Sequence, residues 1–222
     1  MSLRRCYPEL NFPEKEALRY LGYRSIPPTA ELLAELEKVR AEIKRAMSPA
    51  VCYVRVPVAE EDGEVVLSLV RTSSEGLKRN LHGCGEAVLF AATIGIGADR
   101  VLARYAHTDP LREAMAQAIG AAYAEELCDE FCRDLARECA PLYTRPRFSP
   151  GYGDFPLAAQ REFFALLSPE REIGVTLNES LLMSPTKSVT AVVGLSETPC
   201  RPNARCADCE RTDCAFRAAD KD

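Results

Sequence analysis

The sequence has few histidines, no excess of basic residues and no long apolar run. Two histidines among 222 residues leave little basis for a histidine-dependent triad or dyad. A formal net charge of −5 argues against a nucleic-acid binder. No apolar run reaches membrane-spanning length, and the first residues, which include Arg4 and Arg5, lack the apolar core of a signal peptide. We therefore expect a cytoplasmic protein without a membrane or nucleic-acid partner.

The composition instead suits one folded domain with an appendage. Hydrophobic residues make up 47% of the chain, which is enough for a sizeable core. The sequence changes character near Thr198, and we expect one domain over 1–198 and a cysteine-rich tail over 199–222. Because the protein is expected in the cytoplasm, its 10 cysteines are interpreted as thiols or metal ligands before disulfides.

The hydrophobic pattern predicts an α+β fold, with a twisted antiparallel sheet flanked by helices. Thr29 is placed to cap one amphipathic helix, and Thr108 or Asp109 to cap a longer one. We expect 99–105 to be an exposed segment before the longer helix. The predicted helices cover 30–47, 111–139 and 157–167, and the predicted strands cover 51–57, 64–72, 88–96, 173–177 and 188–195, the first two forming a hairpin.

The segment 147–156 has the composition of a rigid ligand-binding loop. Arg147 offers a planar set of donors that matches a carboxylate. Pro150 fixes φ, whereas Gly151 permits positive φ and close approach of a ligand. Tyr152 offers a flat ring, and Asp154 is placed to cap the helix that Pro156 opens. The alternative is a connector between two helices with Arg147 in solvent.

Other polar residues have structural interpretations that compete with functional ones. His82 and Cys84 could form a metal pair or a nucleophile with its base, or could end a helix before a core strand. The glycines that follow them lack the spacing of a dinucleotide or phosphate-binding loop. Thr93 and Gly95 could line a ligand site. The cysteines at 128, 132 and 139 lie near one face of the predicted long helix. We interpret them as small buried apolar side chains rather than as metal ligands.

Several motifs occur in an order that resembles one known family. Arg147 begins an Arg-x-x-Pro-Gly-Tyr run, a strand follows at 173–177, and Met183, Pro185 and Ser188 belong to a Met-x-Pro-x-x-Ser run. Between about 147 and 195 the chain resembles the activation domain of cobalamin-dependent methionine synthase. The resemblance implies that domain's fold, a twisted antiparallel sheet with helices.

The resemblance also implies a function, as a stand-alone reactivation component. Such a domain binds S-adenosylmethionine for the reductive methylation of cob(II)alamin on a methionine synthase or other corrinoid protein. Arg147 would take the ligand's carboxylate, Pro150, Gly151 and Tyr152 would frame it, and the segment with Met183, Pro185 and Ser188 would face the corrin. An electron donor such as flavodoxin is a further implied partner. The family uses a glutamate of the long helix near its ligand, but the best register places Ala121 there, so Glu125 receives no role.

The tail carries four closely spaced cysteines, which departs from the family pattern. Cysteine thiolates at this spacing can hold zinc or an iron–sulfur cluster. A reduced or disulfide-linked tail is the alternative. Two other functions stay open: a redox or metal module centred on the tail, and a binding partner of a corrinoid protein that uses no S-adenosylmethionine. The candidate metal ligands are Cys200, Cys206, Cys209 and Cys214.

Overall fold

The computed structural model describes residues 2–23 and 26–199. Its strands are β1 (Leu3–Cys6), β2 (Ala50–Pro57), β3 (Ala59–Glu61), β4 (Glu64–Leu67), β5 (Val70–Thr72), β6 (Cys84–Thr93), β7 (Tyr143–Thr144), β8 (Thr176–Leu177), β9 (Met183–Ser184) and β10 (Ser188–Ser196). Its helices are α1 (Glu14–Tyr20), α2 (Ala30–Ala46), α3 (Glu75–Leu81), α4 (Ile96–Thr108), α5 (Pro110–Glu138), α6 (Gln160–Leu167) and α7 (Pro169–Ile173), with one 3₁₀ turn at Leu157–Ala159.

The central sheet has five strands in the order β1-β2-β6-β10-β7, and every neighbouring pair is antiparallel. The adjacent inner strands β6 and β10 are buried along most of their length because both faces of the sheet are covered. Phe90 and Ala191 pack with α5 on one face, whereas Leu89 and Val192 pack with α6 on the other. The predicted α+β fold with an antiparallel sheet and flanking helices is confirmed.

Helix α5 is the longest element and runs beside β10. Asp109 caps it by accepting hydrogen bonds from the backbone amides of Leu111 and Arg112, both at 3.1 Å. Pro110 then occupies the first turn, where its missing amide hydrogen has no cost. The sequence predicted helix α5 with its Asp109 cap and helix α2 with its Thr29 cap. Both predictions are confirmed.

Three predicted elements differ from the structure. The residues at 51–57 and 64–72 do not pair with each other, because β2 lies between β1 and β6 in the central sheet. Instead β3, β4 and β5 form a separate three-stranded sheet. The segment 99–105 belongs to helix α4, which buries Ala98, Val101, Leu102 and Tyr105 on one face. The predicted strand at 173–177 is reduced to β8, because α7 continues to Ile173.

Among the residues that the structure describes, no helix is long and apolar enough to cross a membrane. The predicted tail begins at the last described residue, Pro199, so its cysteines at 200, 206, 209 and 214 lie outside the described residues.

Candidate functional site

The predicted ligand loop, residues 147–156, lies at the edge of β10. The amide of Arg145 donates to the Gly194 carbonyl at 2.8 Å, just before the loop begins. Phe148 and Val192 then exchange two backbone hydrogen bonds, both at 2.9 Å. The first part of the loop therefore continues the pairing of β7 with β10 and is held against the central sheet.

The loop folds back on itself after Pro150, which is buried. Gly151 has a φ of 85°, a backbone conformation that favours glycine. Its amide donates to the Phe155 carbonyl at 2.8 Å, and Phe155 in turn donates to the Tyr152 carbonyl at 3.0 Å. The Tyr152 side chain remains 62% exposed. Its ring packs edge-on against Phe148, with 5.6 Å between the ring centroids.

Asp154 caps a helix other than the one predicted. The helix that follows Pro156 has no side-chain cap. Asp154 instead accepts hydrogen bonds at the start of α3, from the Ser74 hydroxyl at 2.6 Å and the Glu75 amide at 2.7 Å. Donation by Ser74 and by the α3 amides lowers the pKa of the Asp154 carboxyl below its ordinary value. The prediction of a local cap was wrong because a helix 78 residues earlier supplies the donors.

The Arg147 side chain points to α5, where it meets two carboxylates. Its two terminal nitrogens donate to Glu125 and Asp129. Arg147 is only 11% exposed, whereas Glu125 and Asp129 are 48% and 49% exposed. Burial lowers the pKa of the Arg147 guanidinium, but Cys128 and the two carboxylates raise it by more, so the net change is upward.

Glu125 and Asp129 are therefore the residues that the sequence reasoning missed. Both lie on one face of α5, since they are separated by one helical turn. That spacing is the signal that could have found them, since two carboxylates at i and i+4 can hold one guanidinium. The family register directed attention to Ala121 instead, one turn before Glu125.

The predicted segment with Met183, Pro185 and Ser188 forms the connection between β9 and β10. Met183 pairs with Leu177 across a two-stranded sheet. The Ser188 hydroxyl donates to the Pro185 carbonyl at 2.7 Å and lies 2.9 Å from the Thr93 hydroxyl. These bonds fix the start of β10 against the end of β6. Thr93 thus supports this segment, whereas Gly95 packs so tightly on Ser48 that an added Cβ would lie 2.2 Å from its hydroxyl oxygen.

Lys187 is a third residue to which the sequence reasoning gave no role. Its ammonium nitrogen donates to Gln117 on α5 at 2.8 Å. The side chain lies over Gly120, where an added Cβ would be 3.2 Å from two of its methylene carbons. Burial lowers the pKa of Lys187, against an upward effect of Asp99. The missing side chain at Gly120 therefore lets a cation lie flat on the helix.

The Arg147 loop and the Lys187 segment border one open edge of the sheet. Val192 pairs with the loop. The N–H and C=O groups of Thr190, two residues earlier, point to the same edge, because the backbone groups of successive strand residues point alternately to the two sides of the strand. Within residues 2–23 and 26–199, no strand pairs with β10 on this side before Val192. About four residues, or roughly 13 Å, separate Ser188 from Val192. Gly120 of α5 lies beneath Lys187 and Glu125 of α5 holds Arg147, so α5 runs beside this gap, which we call the β10 groove.

A separate cavity adjoins this groove on the side of α4. It has a volume of about 320 Å³ and is lined by α4 and α5 together with Thr186. Asp99 accepts hydrogen bonds there from the Thr186 amide at 2.7 Å and the Thr186 hydroxyl at 2.8 Å. Gln117 lines this cavity and also holds Lys187, so it separates the cavity from the groove.

The described part of the chain holds no cluster of three or more histidine, cysteine or acidic side chains that could bind a metal ion. His82 is exposed, whereas Cys84 is buried. Cys128 is fully buried, and its burial raises the pKa of the thiol well above the ordinary value. Cys132 and Cys139 are partly buried and pack against the same core, as the sequence predicted.

Two comparisons with known proteins identify relatives of this fold. A family model described as "Vitamin B12 dependent methionine synthase, activation domain" matches residues 78–200. The solved structure "Crystal Structure of the MetH Reactivation Domain bound to AdoHcy" superposes with a TM-score of 0.60 at 16% identity, covering 87% of this chain and 78% of that one. No curated protein sequence matches the chain significantly. The family resemblance predicted from the motifs is confirmed.

Proposed function

Because the chain belongs to the vitamin B12 dependent methionine synthase activation domain family, we propose that it binds S-adenosylmethionine in the β10 groove for reactivation of a cobalamin-dependent methionine synthase. The solved relative is described as bound to AdoHcy, the demethylated form of the same molecule. We carry a ligand of this class over to the present chain. The further proposal is that the chain acts in trans, on the cobalamin of a separate corrinoid protein.

The observation that carries the proposal is the contact of Arg147 with Glu125 and Asp129. The amino-acid end of S-adenosylmethionine is a zwitterion, with a carboxylate beside an ammonium group. Such a ligand can insert into an existing ion pair, its carboxylate on Arg147 and its ammonium on a carboxylate of α5. Charged hydrogen bonds of this kind contribute about 1.5–3 kcal/mol each.

Electrostatics favours the zwitterion over a plain carboxylate. Two unit charges about 4 Å apart interact by about 4 kcal/mol at an effective dielectric constant of about 20. A ligand carboxylate that reaches Arg147 is repelled by Glu125 and Asp129 unless it brings its own positive charge. We therefore assign the carboxylate of the ligand to Arg147 and its ammonium group to Glu125 or Asp129.

The remaining loop residues have the geometry to hold the rest of the ligand. Gly151 has no side chain and lies at the exposed turn, so a ligand can approach its backbone closely. The exposed ring of Tyr152 offers a flat face for the adenosine end. Pro150 is buried and fixes the start of the turn. We propose that these three residues frame the ligand.

The segment with Met183, Pro185 and Ser188 is proposed to face the corrin partner. Its contacts with Thr93 hold it rigidly at the end of the groove. The partner's cobalamin, once reduced by one electron, would be the nucleophile that takes the methyl group from S-adenosylmethionine. The other product is S-adenosylhomocysteine. The chain needs no catalytic base for this step, because the transfer moves no proton. Its contribution is orientation, which is worth several kcal/mol, up to about 7–11 in well-aligned systems.

The role of the tail is a separate proposal. We propose that Cys200, Cys206, Cys209 and Cys214 bind zinc or an iron–sulfur cluster, with the cluster favoured because the reaction consumes an electron. Zinc has no redox chemistry and would only hold the tail folded. In that case a separate protein such as flavodoxin would supply the electron.

Titration calorimetry tests the binding step with three ligands. S-adenosylmethionine and S-adenosylhomocysteine should both bind, since both carry the zwitterion. 5′-Methylthioadenosine lacks the amino-acid end and should bind much more weakly. An anaerobic assay then mixes the chain with a cob(II)alamin-loaded methionine synthase, a reductant and methyl-labelled S-adenosylmethionine. Absence of binding by the first two ligands would contradict the proposal before any partner is tested.

A further inference from the structure

The ligand loop is joined to α3 through the carboxylate of Asp154. This side chain accepts hydrogen bonds from the Ser74 hydroxyl at 2.6 Å, the Glu75 amide at 2.7 Å and the Gly76 amide at 3.1 Å. Asp154 is itself exposed, so packing does not hold it there. The amides at the start of a helix favour a negative charge, which strengthens the contact.

Helix α3 makes two further contacts, one with the loop and one with the residue just before it. The Asn80 amide nitrogen donates to the Pro146 carbonyl at 3.0 Å. Gly76 lies directly beneath the loop, because an added Cβ would be 2.7 Å from an Asp154 oxygen and 3.0 Å from the tip of the Phe148 ring. The glycine at position 76 therefore allows both Asp154 and Phe148 to reach the helix.

We propose that Asp154 is a positioning residue, which fixes the conformation of the 148–156 loop, and so the ligand-binding geometry of Gly151 and Tyr152, by anchoring the loop to α3. The effect on binding rests on the proposed function, whereas the effect on the loop does not. Between Phe148, which pairs with β10, and Phe155, which is buried, the loop has only short-range backbone bonds. Asp154 supplies the long-range bond within that interval, immediately after the turn that carries Tyr152.

Two variants remove the anchor in different ways. Asp154→Asn keeps the shape of the side chain but replaces one accepting oxygen with a nitrogen that cannot accept. Gly76→Ala leaves Asp154 intact and places a methyl group where its carboxylate lies. Asp109→Asn is the matched control, because Asp109 also caps a helix with its carboxylate, and its hydrogen bonds and ion pair go to Leu111 and Arg112 of α5. Asp154→Asn and Asp109→Asn both weaken a carboxylate cap at the start of a helix, so they should lower the melting temperature by similar amounts.

Hydrogen exchange measured by mass spectrometry on the full chain without ligand tests the anchor directly. The amides of Gly151 and Phe155 are hydrogen-bonded within the loop, so peptides over 148–156 should exchange about tenfold faster in both anchor variants. The control should leave these peptides unchanged. The dissociation constant for S-adenosylmethionine should rise about tenfold in the anchor variants and stay at the parent value in the control.

Each result decides one of the two proposals. Unchanged exchange over 148–156 in Asp154→Asn would overturn the anchoring role, whatever the ligand does. Faster exchange with an unchanged dissociation constant would overturn the link between the anchor and binding. If the parent protein binds no S-adenosylmethionine, the proposed function fails, and the exchange measurement alone then decides whether Asp154 anchors the loop.

Discussion

Arg147 and Glu125, which are 22 residues apart in the sequence, form an ion pair between the ligand loop and the long helix. The arginine is largely buried and the glutamate half exposed, so the negative end of the pair faces solvent. The same guanidinium also holds Asp129. The positive charge of the loop is therefore accompanied by two carboxylates, and the proposed ligand has to suit all three groups.

Replacement of Arg147 tests the assignment of the ligand carboxylate. Arg147→Ala should weaken S-adenosylmethionine binding by about 1.5–3 kcal/mol, which is the contribution of a charged hydrogen bond. Arg147→Lys should recover only part of this, because an ammonium group cannot hold three carboxylates in the geometry of a guanidinium. Titration calorimetry gives the dissociation constants.

The control for Arg147 is Arg133→Ala, which removes an arginine that pairs with Glu126 and Glu130 on the same helix. This variant should bind S-adenosylmethionine like the parent protein. Parent-like binding by both Arg147 variants would mean that the arginine only ties the loop to α5, and the ligand assignment would be wrong.

Replacement of Glu125 separates two roles for the α5 carboxylates. If Glu125 receives the ligand's ammonium group, Glu125→Gln should weaken S-adenosylmethionine binding by about 1.5–3 kcal/mol. The same variant should bind a desamino analogue more tightly, since one repulsive charge near Arg147 is gone. Competition calorimetry with the two ligands measures both changes. Tighter binding of both ligands would show instead that Glu125 only competes for Arg147.

The sequence predicted those helices and strands whose signals lie within a few neighbouring residues. Helices α2 and α5 were predicted with their Thr29 and Asp109 caps, because a cap and an apolar stripe lie within a few residues of each other. The inner strand β10 was predicted because its apolar residues alternate on one face. Helix α4 was missed although its buried residues have helical spacing, because the pattern directly follows a buried strand that was extended too far.

The candidate site was harder to predict because its contacts are long-range. The loop was recognised by its own residues, and the Gly151 turn has the predicted positive φ. Asp154 carries an ordinary capping signal, yet the signal does not say which helix it caps, and the fold brings α3 closer than the next helix. The i, i+4 spacing of Glu125 and Asp129 indicates a possible guanidinium site on α5, but which arginine reaches it depends on the packing of α5 against β10, which no local pattern encodes.

Gly151→Val tests the need for a bare backbone at the loop turn. Valine is strained at a φ of 85°, and its Cβ would lie 3.1 Å from a methyl group of Leu157. We expect loss of about 1–3 kcal/mol of unfolding free energy and loss of S-adenosylmethionine binding in a protein that remains folded. Calorimetry at a temperature well below the melting transition measures the binding.

The matched control is Gly63→Val, at a turn between β3 and β4 with a φ of 81° and no atom within 4 Å of an added Cβ. It imposes a similar backbone strain at a turn outside the 147–156 loop, so it should lower stability by a similar amount without changing the dissociation constant. An unchanged dissociation constant in a folded Gly151→Val protein would remove the loop backbone from the proposed site.

Removal of residues 199–222 tests the proposed division of labour between the groove and the tail. S-adenosylmethionine binding should persist, because Arg147, Gly151 and Tyr152 all lie upstream of the deletion. With a physiological electron donor present, reactivation of the corrinoid partner should stop, because the cluster that would pass the donor's electron to cobalt is gone; a strong chemical reductant should restore methylation. An equal rate of reactivation by the full and truncated chains with the same physiological donor would exclude electron transfer through the tail.

The metal content of the anaerobically purified full chain decides what the tail contributes. Four thiolates can complete either a tetrahedral zinc site or a four-cysteine iron–sulfur cluster. Iron and sulfide with a visible absorption band, lost in a Cys206→Ser/Cys209→Ser variant, would support electron transfer within this chain. Zinc alone at unit stoichiometry would make the tail a folded appendage, since zinc cannot change its oxidation state. The electron for cobalt would then have to come from a separate protein, and truncation of the tail should leave reactivation by that donor unchanged.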